Sequence, residues 1–114
     1  MITLSNVGTS YDATGPSKGL GFAEIDLSGA TQVVCKIKYQ KIGTGTLTWQ
    51  LWNATDGVEL GKFDDAALAA DNKVATITVN SGIPSGVKEL TVRVKSTVAT
   101  DDPVFYGANI RVVK

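Results

Sequence analysis

Apolar and polar residues alternate in short segments along most of this chain, and clear helical periodicity is hard to find. Between positions 33 and 39 every odd residue is apolar or aromatic, and Lys36 and Lys38 lie between them. Successive side chains of a β-strand point to opposite faces of a sheet, so this period of two predicts a strand with one buried face. The pattern favours an all-β chain.

Turn-forming residues separate about eight such segments, a spacing typical of an antiparallel sandwich. The predicted strands are Ile2 to Leu4, Gly21 to Leu27, Thr31 to Ile42, Thr46 to Asn53, Val58 to Phe63, Lys73 to Asn80, Val87 to Thr97 and Val104 to Val113. Asp56-Gly57 predicts a hairpin with a type I′ turn, because glycine adopts positive φ without strain. The predicted fold is an antiparallel β-sandwich, with a jelly roll as the best fit and an immunoglobulin-like sandwich as the alternative.

A chain of 114 residues has room for one hydrophobic core. Residues 1–20 are predicted to form an N-terminal strand and an extended arm or loop, because glycine, proline, serine and threonine interrupt any longer ladder. Residues 21–114 are predicted to form a single β-sandwich domain. Cys35 shares its side of the strand with apolar residues, which indicates a buried small hydrophobe. A single cysteine, with no readable secretory signal after Met1, is typical of a protein made in the cytoplasm.

The absence of histidine restricts the chemistry that this sequence can support. It excludes Ser-His-Asp and Cys-His catalysis and every zinc site that needs an imidazole. Eleven basic and eleven acidic residues give a formal net charge of zero, which argues against a general attraction to nucleic acid or to an anionic membrane. We expect a protein that is not an enzyme and has no cofactor.

Two groups of carboxylates lie in predicted loops, where oxygen ligands could meet a calcium ion. They are Asp64-Asp65 with Asp71, and Asp101-Asp102. Neither has the alternating spacing of a calcium-binding loop, so solvated loops are favoured and no metal site is predicted.

Basic residues on two predicted strands would form a stripe if those strands shared a sheet. Lys36, Lys38 and Lys41 follow one strand, and Arg93 and Lys95 follow another. Without interleaved aromatic rings the stripe does not indicate nucleic-acid binding, and a solvated face or contact with an acidic protein is favoured.

Trp52 and Phe105 lie out of phase with the apolar alternation of their strands. Such rings are expected to contact a neighbouring subunit or a loop folded over the sheet. The candidate interface residues are therefore Trp52 and Phe105 for subunit contact, and Tyr11, Pro16 and Lys18 of the N-terminal loop for contact with a larger scaffold. The alternative is a sugar-binding platform that combines Trp52 with loop carboxylates.

Two stretches carry a resemblance to a known group of proteins: TWQLWNATDGVEL at positions 48–60 and DPVFYGANI at positions 102–110. Over residues 21–114 the chain resembles the small β-sandwich domains of tailed-bacteriophage virion proteins, such as head decoration proteins and tail accessory modules. The resemblance implies a non-enzymatic virion component, made in the host cytoplasm, that binds the capsid lattice or the tail and often forms trimers.

These observations lead to one functional expectation and one alternative. The expectation is a structural virion protein, a capsid decoration or cement protein that stabilises an assembly by binding across subunits. Its expected partners are copies of itself, with a trimer favoured, and the major capsid protein or tail proteins. Neither nucleic acid nor a membrane is an expected partner. The alternative is a carbohydrate-binding or tail receptor-binding β-sandwich module.

Overall fold

The computed structural model describes residues 2–3, 8–9, 11 and 21–114, which form two antiparallel sheets packed as a sandwich. The strands are β1 (Ile2–Thr3), β2 (Gly21–Asp26), β3 (Gln32–Gln40), β4 (Leu47–Asn53), β5 (Val58–Asp65), β6 (Lys73–Val79), β7 (Val87–Ser96) and β8 (Val104–Val113). One sheet has the order β1-β8-β3-β6 and the other β2-β7-β4-β5. Eight strands interleaved between two four-stranded sheets form a jelly roll, which confirms the predicted fold.

The hydrophobic core lies between the sheets and is filled by the inward residues of the alternating strands. Its fully buried members include Val33, Cys35, Ile37, Tyr39, Leu47, Trp49, Leu51, Ala75, Ile77, Leu90, Val92 and Val94. Burial raises the pKa of the Cys35 thiol to about 12, so the side chain is a neutral, unreactive hydrophobe at physiological pH. The interpretation of Cys35 as a core residue is therefore confirmed.

A β-bulge in β8 changes which of its side chains face the core. Lys38 pairs with Gly107 and Tyr39 pairs with Phe105, so Tyr106 is an extra residue between two normal pairs. The uniform alternation predicted for β8, which puts Phe105 out of phase with the apolar side, is wrong at this point. Phe105 packs against the core together with Ala108, which lies beyond the bulge.

The hairpin predicted at Asp56-Gly57 joins β4 to β5, but its turn differs from type I′. Four residues, 54–57, form the turn, and the Gly57 amide donates to the carbonyl of Asn53 at 2.9 Å. Gly57 has a φ of 68°, whereas Asp56 has no positive φ. A single left-handed glycine is therefore sufficient here.

Among the residues from 21 onward, the antiparallel order brings three loops to one end of the sandwich, because β3, β5 and β7 all end there. These loops, residues 41–46, 66–72 and 97–103, are called the apical loops. The segments 27–31, 54–57 and 80–86 lie at the opposite end. No helix long and apolar enough to cross a bilayer occurs among the described residues.

Candidate protein-interaction sites

Two of the predicted interface residues, Tyr11 and Trp52, both contact the same arginine. The guanidinium carbon of Arg93 lies 4.4 Å from the centroid of the Trp52 ring and 5.1 Å from that of Tyr11. Its Nη2 donates to the carbonyl oxygen of Tyr11 at 2.8 Å. Lys95 Nζ also lies 4.6 Å from the Tyr11 centroid. We call this arrangement the Tyr11–Arg93–Trp52 stack.

Strand register explains why Arg93 meets Trp52. β4 and β7 are neighbours in one sheet, with Gln50 opposite Arg93 and Trp52 opposite Thr91. These side chains all point to the outer face, so Arg93 lies diagonally beside the indole. Burial raises the pKa of the Tyr11 hydroxyl to about 12, and the nearby carboxylates of Glu59 and Asp64 add to the effect. Tyr11 is therefore neutral and packed onto this sheet at physiological pH.

Because Arg93 covers one face of the Trp52 ring, that face is occupied by the protein's own cation. A sugar would have to displace the guanidinium before it could stack there. The stack is thus better suited to anchoring the N-terminal segment than to forming an open platform.

Replacing Arg93 by glutamine is expected to release Tyr11 from the sheet. The variant loses the cation–π contact and the hydrogen bond that Arg93 makes with Tyr11, together worth at least about 1 kcal/mol at a partly exposed site. Chymotryptic cleavage after Tyr11 should then be about fivefold faster, as 1 kcal/mol implies. The rate is measured by mass spectrometry of the native protein under limited digestion.

The matched control is Arg111→Gln, which removes an exposed arginine from the other sheet. Cleavage after Tyr11 should be unchanged in this variant. Equal cleavage rates in the Arg93 variant and in the unsubstituted protein would show that the stack does not hold the segment.

The other predicted interface residues are not part of this stack. The Phe105 ring is half-buried, and its centroid lies 6.1 Å from that of core residue Trp49. Pro16 and Lys18 lie outside the described residues. An interface role for any of the five residues remains a prediction.

The apical loops expose apolar side chains that sequence reasoning did not single out. Leu68 is 86% exposed, and Ile42 and Val98 are each 39% exposed. The alanines around Leu68, at positions 66, 67, 69 and 70, are exposed as well. The exposed apolar side chains of these three described loops, at the same end of the sandwich, are together called the apolar tip.

Hydrogen bonds join these three loops into one unit. Lys41 is 1% exposed, its Nζ donates to the carbonyl of Ala67, and its amide donates to that of Ala70 at 2.9 Å. On the other side, the Thr46 amide donates to Thr97 Oγ1 at 2.9 Å. The loop 41–46 thus connects the other two loops and fixes the shape of the tip.

The carboxylates of this end are engaged by the protein itself. Asp65 is buried and paired with Lys73, with Nζ and Oδ2 2.8 Å apart. Asp101 Oδ2 accepts the Gly45 amide at 2.9 Å, and a Cβ added to Gly43 would lie 2.1 Å from the Asp101 carboxyl carbon. Among the described residues no group of three or more metal-ligating side chains is assembled.

The structure corrects the predicted basic stripe. Lys36 and Lys38 lie on β3, whereas Arg93 and Lys95 lie on β7, and these strands belong to different sheets. Lys41, predicted to be exposed, is instead buried beneath the apical loops. Since nothing local in the sequence distinguishes it from an exposed lysine, only the tertiary contacts reveal its position.

No protein-family model and no curated protein matches this sequence. Among solved structures, the chain is similar to that of CsCBM6-3 from Clostridium stercorarium in complex with cellobiose. The two share 20% sequence identity with a TM-score of 0.44, and the match covers 76% of this chain. It spans 65% of the length of that structure.

Proposed function

We propose that this protein is a non-catalytic structural protein that docks onto another protein through its apical loops. The observation that carries the proposal is the apolar tip, in which Leu68, Ile42 and Val98 stand exposed on a hydrogen-bonded base. Burying a leucine side chain in a partner contributes about 1.5–3 kcal/mol. Because the loops are already fixed to one another, little conformational entropy is lost on docking.

We further propose that the docking partner is a viral capsid, so that the protein acts as a decoration or cement protein of the virion. The likeness of positions 48–60 and 102–110 to tailed-bacteriophage virion domains supports this choice. Contacts made across neighbouring capsid subunits would raise the free energy needed to separate them. Self-association into a trimer would place several tips on one lattice site and increase avidity.

Replacing Leu68 by aspartate is expected to weaken binding to capsid shells by at least about tenfold, because a buried apolar contact becomes a buried charge. The binding target in the test is the expanded capsid shell of the virus whose genome carries this sequence. The shell is prepared without its decoration protein. Co-sedimentation measures the bound fraction, and sedimentation velocity of the free protein measures its oligomeric state.

The matched control is Val87→Asp, since Val87 is 54% exposed on the strand that begins at the opposite end of the sandwich. This variant should bind shells as the unsubstituted protein does. A folded protein that does not bind the shells would contradict the capsid assignment. Equal loss in both variants would contradict the assignment of the tip.

A further inference from the structure

The outer face of the β1-β8-β3-β6 sheet carries more positive than negative charge, with three cations and, near Lys38, the carboxylate of Asp71. Lys36, Lys38 and Arg111 point outward from β3 and β8, and the segments β3, β6 and β8 contain no aspartate or glutamate. Among the described residues none of these three cations forms an ion pair. The chain has zero net charge overall, yet this face has a local excess of positive charge, which favours anions as ligands.

The bulge in β8 makes a groove in the cationic face. Its walls are Lys36, Lys38, Val74 and the β8 segment 106–109, and its volume is about 390 Å³. Gly107 leaves its centre open, because a Cβ at this position would meet no atom within 4 Å. This volume lies within the range of about 300–1,000 Å³ typical of small-molecule sites. We call it the Tyr106 groove.

An aromatic ring is fixed at one end of the groove. The Tyr106 hydroxyl donates to Asp71 Oδ1 at 2.6 Å, which holds the ring in place. This bond lowers the pKa of Asp71, and the amide of Asn72 and the charge of Lys38 contribute to the effect. Val74, which is 53% exposed, adds a second apolar surface, and Asn109 adds an amide.

The position of the groove disfavours an extended peptide as its ligand. β3 lies inside the sheet, and its backbone groups are paired with β8 on one side and β6 on the other. A peptide therefore cannot bind by strand addition to β3. A ligand that lies over β3 in the groove is therefore recognised through side chains.

We propose that the Tyr106 groove binds an acidic saccharide. The apolar face of a sugar ring fits the Tyr106 ring and Val74, and its hydroxyls fit the Asn109 amide. A carboxylate or sulfate group fits Lys36 and Lys38, whose Cα atoms are about 7 Å apart as second neighbours on a strand. This site lies on a sheet face and contacts the apical loops through Asp71, but it does not include Leu68, Ile42 or Val98, so it goes beyond docking to a capsid.

Titration calorimetry at low ionic strength tests the proposal with four probes. They are a hexasaccharide of galacturonic acid, a heparin hexasaccharide, neutral maltohexaose and single-stranded oligo(dT). We expect one or both of the acidic saccharides to bind, and the difference between them distinguishes carboxylate from sulfate recognition. Maltohexaose should not bind, because it offers no anion to the lysines.

The double variant Lys36→Gln/Lys38→Gln should lose on the order of tenfold in affinity for the acidic saccharide, as expected when charged hydrogen bonds become neutral ones. Tyr106→Phe keeps the ring and should bind more tightly than Tyr106→Ala. The matched control is Lys62→Gln/Lys114→Gln, which removes two exposed lysines paired with Asp64 and Asp26. It should leave the affinity unchanged.

Three results would overturn the proposal. The first is that the folded protein binds neither acidic saccharide. The second is that maltohexaose, or oligo(dT), binds as tightly as the acidic saccharides and with the same dependence on Lys36 and Lys38. The third is that the control double variant loses as much affinity as the groove variant.

Discussion

Replacing Asp65 by alanine is expected to lower the free energy of unfolding by about 3 kcal/mol, because it leaves a buried hydroxyl and a partly buried ammonium without their shared partner. Asp65 is 5% exposed and accepts the Tyr39 hydroxyl at 2.5 Å and the Ala67 amide at 3.0 Å. Lys73 Nζ lies 2.8 Å from Asp65 Oδ2 and donates to Oδ1 at 3.0 Å. Urea titration followed by tryptophan fluorescence measures the loss.

The same carboxylate gives the stability a defined pH dependence. Burial raises the pKa of Asp65, but the hydrogen bonds from Lys73, Tyr39 and the Ala67 amide outweigh it and hold the pKa below its usual value. The stabilisation is therefore complete above the unfolded-state pKa of about 3.9. It is lost as the pH falls through the lower folded-state pKa.

Asp65→Asn is the control for this prediction, because it keeps the shape of the side chain and removes its charge. Its stability should vary less with pH than that of the unsubstituted protein over the acid range. A loss of less than about 1 kcal/mol for Asp65→Ala would be no larger than that of an ordinary surface substitution. It would show that the contacts of Asp65 with Tyr39, Ala67 and Lys73 do not stabilise the fold.

Replacing Trp49 by alanine is expected to cost about 3–5 kcal/mol, because the indole fills the space between the sheets and the cavity cannot close fully. Trp49 is fully buried, and its ring centroid lies 5.2 Å from that of Tyr39 on the facing sheet. Trp52→Ala is a control on the same strand, since Trp52 lies on the outer face beside Arg93.

The Trp52 variant should lose about 1 kcal/mol, mainly through the cation–π contact. Thermal unfolding followed by far-ultraviolet circular dichroism compares the two variants without depending on tryptophan emission. Equal losses would contradict the assignment of the inner and outer faces of β4.

The strand segments and the sandwich class follow from local information in the sequence. Period-two alternation and turn residues place β3, β4, β6, β7 and β8 to within two residues of their observed ends. β5 extends two residues further than predicted, to Asp65, because that side chain is buried and paired rather than exposed in a loop. The outer position of Trp52 likewise follows from the phase of its strand.

The features that build the candidate sites depend on contacts between distant residues. The bulge at Tyr106 appears only when β8 is aligned with β3, and a strict alternation therefore places Phe105 on the wrong side. Lys41 is buried because Ala67 and Ala70, from a loop beyond the next hairpin, supply carbonyl oxygens. An alanine-rich loop with one leucine carries no local sign that two other described loops at the same end also expose apolar side chains.

Site-specific photocrosslinking tests the docking claim most directly. A photoreactive residue is placed at position 68 in the apical loops or at position 58, where Val58 is 48% exposed at the opposite end. We predict crosslinks to the capsid protein from position 68 and none from position 58 on irradiation with assembled shells. Crosslinks from position 58 alone would show that the opposite end faces the shell and would contradict the account.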